Sequence, residues 1–209
     1  MKRPVLITAG ATRNPIDRMR YISAYSTGKT GVTVATALQR NGNTVTLLGS
    51  AEAVLRGQIA GVEHLAEYGS TRDLMDRMQR WIDTHPTGIV IHAAAVGDYE
   101  SEAIDGKVES GRSEWVLNLR PTPKIADTLR EWMPEGVIVT FKAAAPGTTG
   151  AQLTEIARAQ LLRTRSDLVF ANVIDALNEG VQIVEARAAE SFTDRQRALE
   201  TLVQRVLDA

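Results

Sequence analysis

Two textures alternate along the chain: short apolar runs, and longer stretches in which apolar residues return every three or four positions. Val5-Leu6-Ile7 reads as a buried strand, and Val32, Val34, Ala35 and Leu38 then keep a helical period. Asn41-Gly42-Asn43 has the composition of a helix end and turn, and Thr44 to Leu48 reads as a second strand. Gly61 to Leu65 is a shorter candidate for a third. Ser70 is placed to cap a helix with Leu74, Met78, Trp81 and Ile82 on one face, where the Met and Trp read as core. Gly88 to Val96, GIVIHAAAV, is almost wholly apolar, as a central parallel strand covered on both faces should be.

From Glu100 to Arg120 the pattern turns polar and glycine-punctuated, closing in the alternation of Trp115 to Leu119. This predicts an excursion that returns as a strand. Thr122-Pro123 has the form of a helix start, with Ile125, Leu129 and Trp132 on one face behind it. Val137 to Phe141 is the next strand. A helix from about Ala151 to Arg163 follows, with Leu153, Ile156, Ala157 and Leu161 inward. Asp167 to Asn172 is another strand, and Val181 to Val184 an edge strand. Thr193 with Gln196 reads as a capping box for a last helix through Leu199, Leu202, Val203 and Val206.

The fold class is therefore α/β: a Rossmann-like three-layer sandwich with a mostly parallel central sheet and a polar flap around 98–120, in one domain over 1–209. Such sheets bind ligands at the carboxyl ends of their strands, near the reversal of strand order. Thr8 to Gly10, Ala93 to Asp98, Phe141 to Ala143, and Ala171-Asn172 are the strand ends concerned.

Composition narrows the function classes. A net charge of −1 argues against nucleic acid or an anionic membrane as a partner. No apolar run approaches the roughly 20 residues that span a bilayer, and MKRPVLITAG is too short and polar for a signal peptide, so a cytoplasmic protein is expected. Cysteine is absent, which removes disulfides, thiolate metal sites and thiol nucleophiles. The 44% hydrophobic content is enough for a real core.

The first strand leads into a long charged connection with Arg13, Asp17, Arg18 and Arg20, and then into Thr27-Gly28-Lys29-Thr30-Gly31 at a helix N-terminus. Free N–H groups and the helix dipole make such a terminus an anion site. A Walker loop would need glycine where Ser23 stands, and a dinucleotide fold would want an acid where the second strand ends in Leu48-Gly49-Ser50. Neither motif is met. His64 and His85 lack partners at ligand spacing, and His92 reads as a core or strand-end histidine. Lys107 alone reads as a solvated surface residue, whereas Asp98, at a strand's carboxyl end, is a candidate site residue.

Several segments together resemble one family. Leu6 to Arg13, Pro15-Ile16-Asp17, Arg20 to Ser23, Ser26 to Lys29, His92 to Tyr99 and Asp167 to Asn172 look like phosphopantothenate–cysteine ligase of coenzyme A biosynthesis, in the right order over nearly the whole chain. The start at the synthetase strand and the Phe141-Lys142 pair resemble its stand-alone form. The resemblance implies that 4′-phosphopantothenate is activated by CTP or ATP as an acyl-nucleotidylate, and that cysteine then displaces the nucleotide. Mg²⁺ would neutralise the triphosphate, with no metal site built by the protein itself.

It further implies a nucleotide site in which Gly10, Ser26, Gly28 and Gly31 line the phosphates. Ala93, Ala94, Asp98, the turn Thr122, Pro123, Lys124, Ile125, and Phe141 would hold base and ribose. Arg20, Ala95 and Asn172 would meet the acid substrate, and Lys107 falls at the catalytic lysine. The family's enzymes are typically homodimers, with the excursion around Lys107 directed towards the partner subunit. This sequence departs from the pattern at Ala24, where the family has a catalytic asparagine, and at Ala143 to Ala145, where a glutamate is common. The basic pair of the following helix is reduced to Arg158 and Arg163. The rival readings are a pyridine-nucleotide oxidoreductase and an altered homologue that binds nucleotide but ligates another pair or only regulates.

Overall fold

The computed structural model describes residues 2–111, 113–178 and 180–209. In chain order its elements begin β1 Val5–Ala9, β2 Arg13–Pro15, β3 Tyr21–Ser23, α1 Lys29–Arg40, β4 Val45–Gly49, α2 Ala51–Ile59 and β5 His64–Glu67. Then come α3 Thr71–Thr84, β6 Ile89–His92, β7 Tyr99–Ser101, β8 Leu119–Pro121 and α4 Ile125–Trp132. The chain closes with β9 Val137–Ala144, α5 Gly150–Thr164, β10 Leu168–Val173, β11 Val181–Val184, β12 Ala189–Phe192 and α6 Arg195–Leu207.

Eight strands form the central sheet in the order β12-β11-β10-β9-β6-β1-β4-β5. Six neighbouring strands run parallel, and at one edge β11 pairs antiparallel with β10 and β12 antiparallel with β11. The chain moves outward from β1 to β5, then returns to β6 on the other side of β1. The reversal therefore lies between β1 and β6, where this architecture opens a crevice.

Alternate residues of the strands face two helix layers. Ile7, Leu47, Ile91, Val139 and Phe170 pack against α1, α2 and α6 through Val34, Leu38, Ala53, Leu199 and Leu202. On the other face Leu6, Leu48, Val90 and Ile138 meet α3 and α4 through Leu74, Met78, Ile82 and Leu129. Leu153, Ala157 and Leu161 of α5 cover Val169, Ala171 and Val173. The expected three-layer sandwich and mostly parallel sheet are what the packing gives.

Several local expectations are corrected. The third strand starts at His64 rather than Gly61, because Gly61 (φ 77°) closes the turn after α2, its N–H reaching Gln58 O. Trp115 to Leu119 does not form a strand as a whole; only Leu119–Pro121 pairs, antiparallel to Tyr99–Ser101. Thr122 does not cap α4. Its hydroxyl donates to Gly97 O at 2.6 Å, and the helix starts at Ile125 behind Lys124. Asp194, not Thr193, caps α6, accepting from the N–H groups of Gln196 and Arg197. The capping box lies instead at Thr149 and Gln152 of α5. The long connection after β1 is not loose, since β2 and β3 pair as a hairpin.

Candidate active site

A cleft of about 1490 Å³ opens at the carboxyl ends of β6, β9 and β10. It exceeds the usual 300–1,000 Å³ of a single small-ligand pocket, so it has room for two reactants. One wall is the loop from Ala24 to Gly31 leading into α1. Gly28 adopts φ 74° and no side chain caps the helix, so its first N–H groups remain available to an anion. A Cβ at Gly28 would lie 2.5 Å from Ala53 Cβ, so α2 holds this turn close. Gly10 (φ 88°) sits behind that wall against Ser50 rather than in it.

The facing wall carries Asp98, Thr122 to Asp127, and Arg163. Asp98 pairs with Lys124, and Asp127 with Arg163. Thr122 N–H donates to Asp98 O at 3.0 Å, which ties this turn to the end of the central strand. Ala95 has its backbone committed, its N–H to Gly10 O at 2.8 Å and its O to Thr12 N–H. Phe141 stacks on Phe170 with centroids 4.9 Å apart. Arg195 lies over the other aromatic at 5.3 Å and donates to Thr30 Oγ1; burial holds its pKa below the usual guanidinium value.

The floor is polar. Thr8, His92 and Thr140 occupy paired positions on β1, β6 and β9. His92 Nδ1 lies 2.9 Å from Thr8 Oγ1, and burial pushes its pKa down to about 4. Gln160 of α5 donates to Thr140 Oγ1 and to Phe141 O. Asn172 is buried at the end of β10, its amide 3.4 Å from Val173 O.

Arg20 and Lys107 do not line this cleft within the single chain. Both belong to the flap and hairpin beside it, which Asp17 holds together. Asp17 accepts from Met19 N–H and Arg20 N–H at 2.8 Å, and from Val108 N–H at 3.1 Å. Its pKa is lowered, first by the Met19 N–H and further by those of Val108 and Arg20 and by the Arg20 charge, against the opposing effect of burial. Arg20 donates to Val108 O and stacks over Trp115 at 4.8 Å. Lys107 is exposed between these anchors.

The cleft thus gathers Ala24, Ser26, Gly28, Gly31, Ala93, Ala94, Ala95, Asp98, Thr122, Pro123, Lys124, Ile125, Phe141 and Asn172. It adds His92, read from the sequence as a core or strand-end histidine, and Gln160 and Arg195, to which sequence patterning assigned no role. Among the described residues no group of three or more His, Cys, Asp or Glu could hold a metal. Mg²⁺ carried in on a triphosphate needs only one or two carboxylates, and Asp98 and Asp127 lie on the wall. No described helix is long and apolar enough to cross a membrane.

Comparison with known proteins identifies the family and the fold. The bifunctional coenzyme A biosynthesis protein CoaBC of Thermococcus kodakarensis is 38% identical over 173 residues, 82% of this chain and 41% of that protein. The CoaBC of Bacillus subtilis is 30% identical over 177 residues, again 41% of its length. The chain therefore spans about two fifths of the curated relatives it matches. The crystal structure of the DNA/pantothenate metabolism flavoprotein from Streptococcus pneumoniae superposes with a TM-score of 0.84 at 25% identity, covering 98% of both chains. A Cab2 mutant in complex with phosphopantothenate-cysteine shares the fold, with a TM-score of 0.80 at 19% identity over 99% of this chain and 85% of that one. The family model of the DNA/pantothenate metabolism flavoprotein C-terminal domain matches residues 1–204, and the chain belongs to that family.

Proposed function

We propose that this chain is a nucleotide-dependent acid–amine ligase, joining 4′-phosphopantothenate to cysteine with CTP or ATP. The observation that carries the reading is the cleft at the carboxyl ends of β6, β9 and β10, which joins an uncapped helix N-terminus to the Asp98 and Thr122–Ile125 wall. The acid's carboxylate attacks the α-phosphorus and pyrophosphate leaves. The amine then attacks the acyl carbon and nucleoside monophosphate leaves. Both steps need positioning and charge neutralisation rather than a protein nucleophile. Mg²⁺, bound with the triphosphate, would supply further charge neutralisation.

In this reading Ser26, Gly28 and Gly31 receive the phosphates, with Gly10 keeping the turn tight behind them. Ala93, Ala94, Asp98, the turn from Thr122 to Ile125, and Phe141 enclose base and ribose. Ala95 and Asn172 border the acid, and Arg20 orders the flap that covers it. Lys107 meets the reacting phosphate from a second copy. The flap and hairpin support this last point by exposing Met19, Tyr21, Tyr99, Ile104, Val116 and Leu119, an apolar surface suited to burial in a homodimer. A cytoplasmic setting, where these precursors and nucleotides occur, goes with the same reading.

The test is pyrophosphate release with 4′-phosphopantothenate, with and without cysteine, in CTP or ATP. No release with either nucleotide removes the reading. Mixing Lys107→Gln subunits with subunits carrying Gly28→Val should restore partial activity if the lysine acts in trans, and should restore none if it acts within its own chain. A second reading is favoured by Ala24, which lines the cleft but offers no side-chain hydrogen bond. The chain would then stop at the acyl-nucleotidylate or pass it to another amine, and pyrophosphate would appear without the cysteine amide. An NAD(P)-dependent oxidoreductase is disfavoured, because the residue after β4 is Ser50, which caps α2.

A further inference from the structure

His92 and Gln160 each bring a hydrogen-bonding atom to the cleft floor, and the bonding around them assigns one as donor and the other as acceptor. Thr8 Oγ1 accepts from Ala94 N–H at 3.1 Å and lies 2.9 Å from His92 Nδ1. A hydroxyl has a single proton, and among the described residues it has no other acceptor. We assign Thr8 as the donor to Nδ1, the arrangement that uses its one proton, which places the proton of the neutral ring on Nε2. Burial keeps the ring neutral at physiological pH, so it offers one N–H and no charge.

The amide of Gln160 is oriented as firmly. Its nitrogen donates to Phe141 O at 3.1 Å, and a carbonyl can only accept, so nitrogen and oxygen cannot be exchanged. The same nitrogen reaches Thr140 Oγ1 at 3.0 Å. This leaves Oε1 without a partner. Among the described residues, the buried side-chain atoms lacking a hydrogen bond are Asn43 Oδ1 and Arg205 Nη1. His92 Nε2 and Gln160 Oε1 thus keep access to the cleft that both residues line. They are neighbours, because His92 pairs with Thr140 across β6 and β9, and Gln160 bonds to that same Thr140. Both side chains are more than nine-tenths buried, at 6% and 8% exposure.

We propose that His92 and Gln160 read the edge of the nucleobase, selecting the amino-bearing edge shared by cytosine and adenine. Each of those bases places an exocyclic amino group beside a ring nitrogen acceptor. The amino group donates to Gln160 Oε1, and the ring nitrogen accepts from His92 Nε2–H. Uracil and guanine present a carbonyl beside a ring N–H, which sets acceptor against acceptor and donor against donor. A buried group left unpaired in this way is penalised more than a good pair gains, so discrimination of roughly tenfold to a hundredfold is expected. The inference rests on the nucleotide-dependent reading above and goes beyond it by naming the side chains that set the base class.

The test is equilibrium binding of CTP, ATP, UTP and GTP to the intact protein with Mg²⁺, without acid or amine. CTP and ATP should each bind about tenfold or more tighter than UTP and GTP. His92→Leu and Gln160→Met should bring the four within about threefold of one another, and His92→Gln, which can again donate, should recover part of the preference. The variants are used only where their circular dichroism matches the parent, and His92→Gln covers the case in which the apolar variants fail to fold. Binding of all four nucleotides with equal affinity overturns the inference and leaves the ligase reading standing. A preference that survives both apolar variants overturns it as well. Failure of every nucleotide to bind removes both.

Discussion

Thr8, His92 and Thr140 lie next to one another across three parallel strands, and their neighbours are fixed by the register of the sheet. The flap beside them is anchored differently. Asp17 alone gathers N–H groups from Met19, Arg20 and Val108, and the remaining flap contacts include Arg18 N–H to Gly106 O and an exposed Arg18–Asp105 pair. The floor is covered by packed helices; the flap leaves Val116 69% exposed and the hairpin beside it leaves Met19 64% exposed. A rigid floor suits recognition of a ligand, and in the proposed ligase the exposed flap would deliver its charge to a second subunit. Each region can be perturbed without the other, which makes the contrast testable.

The largest effect is expected at the flap. Lys107→Gln should reduce pyrophosphate release by about two to three orders of magnitude, the range for removing one placed charge stabiliser. The side chain is exposed, so thermal unfolding should be unchanged within error. Near-normal release in a steady-state assay would remove Lys107 from the chemistry.

Next comes the wall between the two regions. Ala24→Asn restores an amide where the family carries one, and should raise the ratio of amide product to pyrophosphate by roughly tenfold or more. Coupled measurement of both products over time checks this. An unchanged ratio would mean that another group already serves the second step.

The floor should answer to pH through stability rather than turnover. His92 titrates near 4 when folded and near 6.5 when unfolded, so the unfolded chain binds the extra proton between those values. Stability from this group is full above about 6.5 and is lost as pH falls towards 4, by up to about 3 kcal/mol. Urea melts from pH 7 to 4.5 should show the loss, and His92→Gln should flatten it. A slope that survives the substitution would assign the effect to other groups.

The contrast also explains what could be read from the chain itself. The apolar runs and helical faces gave the inner parallel strands and the three layers, because burial on both faces leaves an unambiguous pattern, whereas the more exposed edge strand β5 was misplaced at its start. The helix Ala51–Ile59 was missed because it buries only Ala53 and Gly57, residues too small to mark a face. The hairpin was missed because only Asn14 and Ile22 of its six residues are even partly covered, so its pairing owes little to hydrophobic alternation. The glycines and alanines of the site stood out as motifs. His92 and Gln160 did not, because their meaning depends on Thr8, 84 positions from His92, and Thr140, 20 positions from Gln160. Lys107 was legible only by resemblance, since it is an exposed residue of a polar segment and does not line the cleft of the single chain.

The smallest expected effect isolates the flap's anchor from its chemistry. Asp17 holds three backbone N–H groups as a carboxylate, with its pKa lowered chiefly by the Met19 N–H. The ordering it provides is present above the unfolded carboxylate pKa and lost as pH falls through the lower folded value. Asp17→Asn keeps the shape but removes the charge, and one amide oxygen cannot replace two carboxylate oxygens serving three donors and Arg20. Limited proteolysis should then cut more readily within 98–120, while the melting temperature moves by only a few degrees because the sheet and its helices are untouched. Cleavage within 98–120 at the parent rate would show that Trp115, Arg20 and the paired strands β7 and β8 suffice to hold the flap. In that case Asp17 would serve only to orient Arg20.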